Sequence, residues 1–194
     1  PLSTYLGKPG SPDKGGLEWS EYLRRQALHR AAESDAMRDT EQFIVRAKDL
    51  YGYPNFVCDS SGSFCEIVDP QDPDDPILKA LYGAVLMIWI EGDTQHTQDL
   101  IKRFDTSPKP MCYQDAFLQH AWATYLDLNQ VTSDEVDPDA FIRWTYAQAL
   151  AHRQPRYQSL AENWGLRISA DALATVSSPE DFTDVVAAAL DAKA

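Results

Sequence analysis

Four histidines are the first residues in this chain to test for chemistry: His29, His96, His120 and His152, each on a different predicted helix. No two stand four residues apart, the spacing that aims two imidazoles from one helix at a shared ion. The Glu-x-x-His pattern of helical di-iron proteins is absent as well. No metal and no cofactor are therefore expected. If the chain were a helical enzyme, its site would be assembled from distant residues, with His96, Asp115 and His120 first in line. Asp69-Pro-Gln-Asp-Pro-Asp-Asp75 is rich in carboxylates, yet prolines interrupt it, and it lacks the sixth-position glycine and twelfth-position glutamate of a calcium loop. Ser60-Ser-Gly-Ser63 has no histidine near it in sequence and reads as a turn.

The cysteines are Cys58, Cys65 and Cys112. Lys109 lies close enough in sequence to activate Cys112, although a small apolar residue is equally expected there, beside Met111 at a helix start. Cys58 and Cys65 flank a Ser/Gly turn. Read as a β-hairpin spanning about 54–68, this segment would bring the two thiols near enough for oxidation to link them. An odd cysteine count and the absence of a visible leader favour reduced thiols and a cytoplasmic protein, or a periplasmic or secreted one if a leader was removed.

The elements that would position these residues are helical. Residues 1–16, with three prolines and four glycines, read as a flexible N-terminal arm, extended or loosely docked, ahead of a single α-helical domain over 17–194. Apolar residues recur at helical spacing from Leu17 to Tyr51, with a break near Ser34-Asp35, and Glu21 is placed to pair with Arg25. Residues 52–76 form an acidic, proline-punctuated insertion. Further helices are expected from Pro76 or Ile77 to Gly92, Thr94 to Phe104, Met111 to Leu128 and, behind the cap and first-turn proline of Asp137-Pro138, Asp139 to His152, with a new start forced by Pro155 and an end at Gly165. Ser178-Pro-Glu-Asp181 caps a last helix whose buried face holds Phe182, Val185, Val186, Ala189 and Leu190. The fold class is all-α, a compact multi-helix bundle with one small β-hairpin. No stretch reaches the roughly 20 apolar residues that cross a bilayer.

Ser159-Leu-Ala-Glu-Asn-Trp-Gly-Leu166 resembles the first helix and turn of a DNA-binding helix-turn-helix over about ten residues. The segment after it, Ser169 to Val176, has no Arg, Lys, Asn or Gln to read a base edge, and Asp171 would face phosphates. A glycine cap between two packed helices accounts for the pattern.

Charge separates the function classes. Thirty acidic residues against seventeen basic ones leave a formal −13, which repels nucleic acid and anionic membranes and attracts basic proteins. The expected function is that of a non-enzymatic interaction protein, an acidic helical domain that binds and masks a basic protein partner, of the inhibitor, immunity-protein or chaperone type. Its binding residues would be Tyr51, Tyr53 and Phe56, as aromatic anchors, beside the steering charges Asp69, Asp72, Asp74 and Asp75. A helical enzyme and a structural or assembly subunit are the alternatives, and the oligomeric state is left open.

Overall fold

Acid–proline and serine–proline pairs set where helices begin. In the computed structural model, which describes residues 5–60 and 62–193, the helices are α1 (Trp19–Arg38), α2 (Thr40–Tyr51), α3 (Pro76–Tyr82), α4 (Thr94–Thr106), α5 (Asp115–Asn129), α6 (Pro138–Trp164), α7 (Ala170–Ala174) and α8 (Pro179–Lys193). The strands β1 (Met87–Glu91) and β2 (Gly165–Ser169) and three short 3-10 segments complete the described elements, so the chain is an all-α bundle with a minor β component. The Asp75 carboxylate accepts from the Ile77 and Leu78 amides, Asp93 from His96 and Asp137 from Ala140. Ser178 Oγ accepts from the Asp181 amide while the Asp181 carboxylate accepts from those of Ser177 and Ser178. Each cap answers first-turn amides that have no partner within the helix.

The β component lies elsewhere than expected. Residues 52–60 are irregular, and the chain next turns through a short 3-10 segment, Phe64–Glu66, whose three side chains are buried. Among the described residues, no hairpin forms over 54–68. The apolar run after Pro76 is likewise not one helix, because it leaves the helical path at Tyr82 and extends through Met87-Ile-Trp-Ile-Glu91, a β-branched and aromatic stretch suited to a strand. β1 pairs with β2 in parallel, from Met87↔Gly165 to Glu91↔Ser169, and α4 to α6 supply the long crossover that parallel pairing needs. Gly165 ends α6 as expected, but it does so as the first residue of β2 and not in a left-handed cap. Its backbone is extended, and a Cβ there would stand 2.3 Å from the Met87 carbonyl oxygen, so only glycine lets the strands meet.

α6 runs unbroken through Pro155, where a new helix was expected to start. The proline deletes one backbone hydrogen bond, at a typical cost of about 3 kcal/mol. Anchors on both sides offset that loss: Arg153 is buried in an ion pair, and Arg156 donates to the carbonyls of Cys65 and Val68 at 2.8 and 2.7 Å. α6 also joins two apolar cores. Its first half packs Phe141, Ile142 and Tyr146 with Tyr22, Phe104, Leu118, Trp122 and Tyr125, and farther along Leu160 packs with Phe64, Val68, Ile77, Leu78 and Leu81. Stacked rings at 4.4 Å (Trp19 on Trp122) and 3.8 Å (Phe104 on Tyr146) fix the first core.

The N-terminal arm is docked from Tyr5 onward, and residues 1–4 lie outside the described residues. Leu6 is buried, the Gly10 amide donates to Leu17, the Leu17 amide to Lys8 and the Ser11 amide to Val136. The glycines that argued for mobility are what allow this contact, since a Cβ on Gly10 would lie 2.7 Å from the Val136 carbonyl oxygen. At the other end, α8 starts at its expected cap, but its apolar face is only half covered, with Phe182 and Leu190 exposed.

The close strand approach yields a stability prediction. Gly165→Ala should cost about 1–3 kcal/mol in urea denaturation through overpacking. Gly83→Ala, with ordinary helical backbone and nothing within 4 Å of the new methyl, should be neutral or slightly stabilising. Equal effects of the two would contradict the strand register.

Candidate functional site

Residues 111–114 have no strand beside them among the described residues, and buried polar side chains gather around them. Side chains take a strand's place. Gln26 donates to the Met111 carbonyl at 2.7 Å and accepts from the Tyr113 amide at 3.0 Å, while Arg30 donates to the Tyr113 carbonyl at 2.9 Å. Arg153 donates to the Cys112 carbonyl at 2.8 Å, and Glu66 accepts from the Gln114 amide at 2.9 Å. Arg153 and Glu66 also bind each other at 2.6 Å, both buried. Burial opposes the Arg153 charge, but the adjoining Glu66 carboxylate, with Tyr157 and Cys65, outweighs it and holds the guanidinium protonated. His152 stacks on Phe117 at 4.6 Å, with Nε2 4.0 Å from Glu66. Burial lowers the His152 pKa, with Glu66 opposing in part.

On the α1 side of this segment, His29, Glu33 and Cys112 converge, each placing one donor atom within 4.8 Å of the others. His29 Nε2 is 3.3 Å from Glu33 Oε1, and Ser63 Oγ donates to that oxygen at 2.8 Å. His29 Nδ1 and Glu33 Oε2 are buried without a hydrogen-bond partner among the described residues. Cys112 is no activated thiol: burial first, then the Glu33 charge, push its pKa up to about 12. The cluster has no paired histidines. His29 and Glu33 have the same four-residue spacing with a carboxylate as second member, and Cys112 joins them only through the fold.

The residues expected to form a site divide. Tyr51, Tyr53 and Phe56 are exposed, and the Tyr51 and Tyr53 rings stack at 5.4 Å. Asp69, Asp72 and Asp74 are exposed too, with Asp74 paired to Lys79. Asp75 is not a surface charge: it is 7% exposed, caps α3 and accepts from the Asp69 amide, so it serves the loop's structure. Cys58 is exposed and Cys65 fully buried, both as free thiols, and with no hairpin between them the expected linkage has no framework. His96, Asp115 and His120 are all exposed and do not gather, Asp115 instead facing Arg30 at 3.5 Å. A half-open cleft of roughly 270 Å³ between α4 and α6 is lined by Leu100, Arg103, Phe104, Lys109 and Tyr146, without a carboxylate or imidazole.

No family model matches this chain, and neither a curated protein nor a solved structure matches it. Its function rests on the residues themselves. Among the described residues, no helix is long and apolar enough to cross a membrane.

Two predictions test the buried network. Arg153→Met leaves Glu66 charged and unpaired and should cost about 3–5 kcal/mol by urea denaturation, whereas adding Glu66→Gln should recover part of that loss. A lowered His152 pKa means the folded state prefers the neutral ring, so its contribution is complete above the ordinary histidine value of about 6.5 and is lost as pH falls through the lowered folded value. His152→Gln should flatten the stability profile in that window, as read from denaturation midpoints, and leave the fall at carboxylate pH in place.

Proposed function

We propose that this protein is a non-enzymatic binding protein that engages and masks a basic protein partner, in the manner of an inhibitor, immunity protein or chaperone. The observation that carries the reading is the uncovered apolar surface of α2 and the segment after it. Phe43, Leu50 and Tyr51 fall on one face of α2 by helical spacing, yet Leu50 is 63% and Tyr51 66% exposed, and no residue of the helix after Thr40 is buried. Residues 52–59 are exposed throughout and add Tyr53, Phe56 and Val57. An uncovered apolar surface of this kind favours binding, and stacked tyrosines supply area at small cost in side-chain freedom.

Charge selects the partner's class. From Asp39 to Leu78 the acids are Asp39, Glu41, Asp49, Asp59, Glu66, Asp69, Asp72, Asp74 and Asp75, against Arg46, Lys48 and no other Lys or Arg. The loop bearing Asp69, Asp72 and Asp74 leads directly into α3, which packs against α2. These charges steer a basic protein toward the surface, and the aromatic residues hold it there.

A photoreactive residue at position 53, used in the native host at low and high salt, should capture a basic protein, more efficiently at low salt. With that partner purified, Asp69, Asp72 and Asp74 together changed to Asn should lower the on-rate several-fold at low salt. Tyr53→Ala should raise the off-rate by about tenfold or more. Asp75 is left intact because its loss would unfold the α3 cap. A cross-link to a second copy of this chain would instead make the surface a self-association interface, and unchanged rates in both variants would overturn the proposal.

A further inference from the structure

The geometry points to a divalent transition-metal site, for an ion of zinc's class, formed by His29, Glu33 and Cys112. It is independent of the surface just discussed. His29 and Glu33 share one face of α1, one turn apart, and Cys112 approaches from the segment held by Gln26, Arg30 and Arg153. With metal–nitrogen and metal–oxygen bonds of about 2.0 Å, two ligands of a tetrahedral ion stand about 3.3 Å apart. His29 Nε2 and Glu33 Oε1 are 3.3 Å apart, and the donor atoms of all three residues lie within 4.8 Å of one another.

An ordinary histidine–glutamate pair leaves this cluster incomplete. After that contact, His29 Nδ1 and Glu33 Oε2 remain buried with no hydrogen-bond partner among the described residues, in an imidazole only 9% exposed. A cation held by the Glu33 carboxylate through both oxygens answers Oε2 as well, while His29 Nδ1, on the far side of the ring from Nε2, is left to an outer partner. Ser63 Oγ, donating to Glu33 at 2.8 Å, supplies the outer hydrogen bond that orients a ligating carboxylate. The mixed nitrogen, oxygen and sulfur donors select a borderline-soft ion over calcium or magnesium, which prefer oxygen alone. The thiol proton leaves to solvent as the metal–sulfur bond forms, and the resulting thiolate and the carboxylate balance the two positive charges. Three protein ligands leave a fourth position for water or a small ligand, on the side where Glu33 is partly exposed.

The test is titration of the full chain with cobalt(II), whose bond to a thiolate gives a charge-transfer band in the near ultraviolet. One equivalent should develop the band and zinc should displace it. Cys112→Ser should abolish it, Cys58→Ser should retain it, and His29→Gln or Glu33→Gln should weaken binding at least tenfold, with helical circular dichroism unchanged. No band, or a band that survives Cys112→Ser, overturns the site. If Cys112→Ser fails to fold, thermal melting decides: zinc at a hundredfold excess over its Kd should raise the wild-type Tm by about 5–10 °C. That rise should fall by about half or more in Glu33→Gln at the same zinc concentration, and an equal rise in both proteins would overturn the proposal.

Discussion

The ion pair between Arg153 and Glu66 is the contact on which the rest of the structure depends. Two charges taken from water are stable in a protein interior only when partners surround them, and here those partners are backbone groups of a segment with no strand beside it. The pair thus does two things at once. It satisfies the Cys112 carbonyl and the Gln114 amide, and it ties the 3-10 turn after the long irregular loop to the middle of α6. With Gln26 and Arg30 reaching in from α1, side chains replace a sheet edge at the centre of an otherwise helical molecule.

This arrangement also explains how α6 survives its internal proline. Arg153 and Arg156 straddle Pro155 and are committed in different directions, one to the pair and Cys112, the other to the carbonyls of Cys65 and Val68. Each arginine fixes the helix at a point where the backbone alone would allow a bend. The same helix then contributes to both apolar cores.

Local chemistry made much of the helical layout legible. Pro76, Asp137-Pro138 and Ser178-Pro179 marked starts that the structure uses, and the Glu21–Arg25 pair forms at 2.7 Å. What eluded the sequence depends on partners far along the chain. Met87–Glu91 is an apolar run, and such a run becomes helix or strand according to what it meets, here residues 165–169. Gly10 and Gly165 looked like breakers but are close-approach positions, a role visible only once Val136 and Met87 are in place. Pro155 seemed a boundary because its anchors, Glu66 and Cys65, lie about 90 residues earlier. The surface aromatics were legible because exposure of a loop follows from its own composition. The His29–Glu33–Cys112 cluster was not, because its third member arrives through tertiary folding.

The parallel pairing of β1 with β2 bears on how the chain acquires its structure during synthesis. Strand β1 emerges from the ribosome long before its partner, since all of α4, α5 and α6 must follow before Gly165 appears. Throughout that interval Met87-Ile-Trp-Ile-Glu91 has an unsatisfied edge, and closing it carries the loop-entropy cost of joining distant segments. Pairing is therefore a late event that completes the domain. Until then, the nascent chain offers a short β-prone segment to chaperones and to copies of itself.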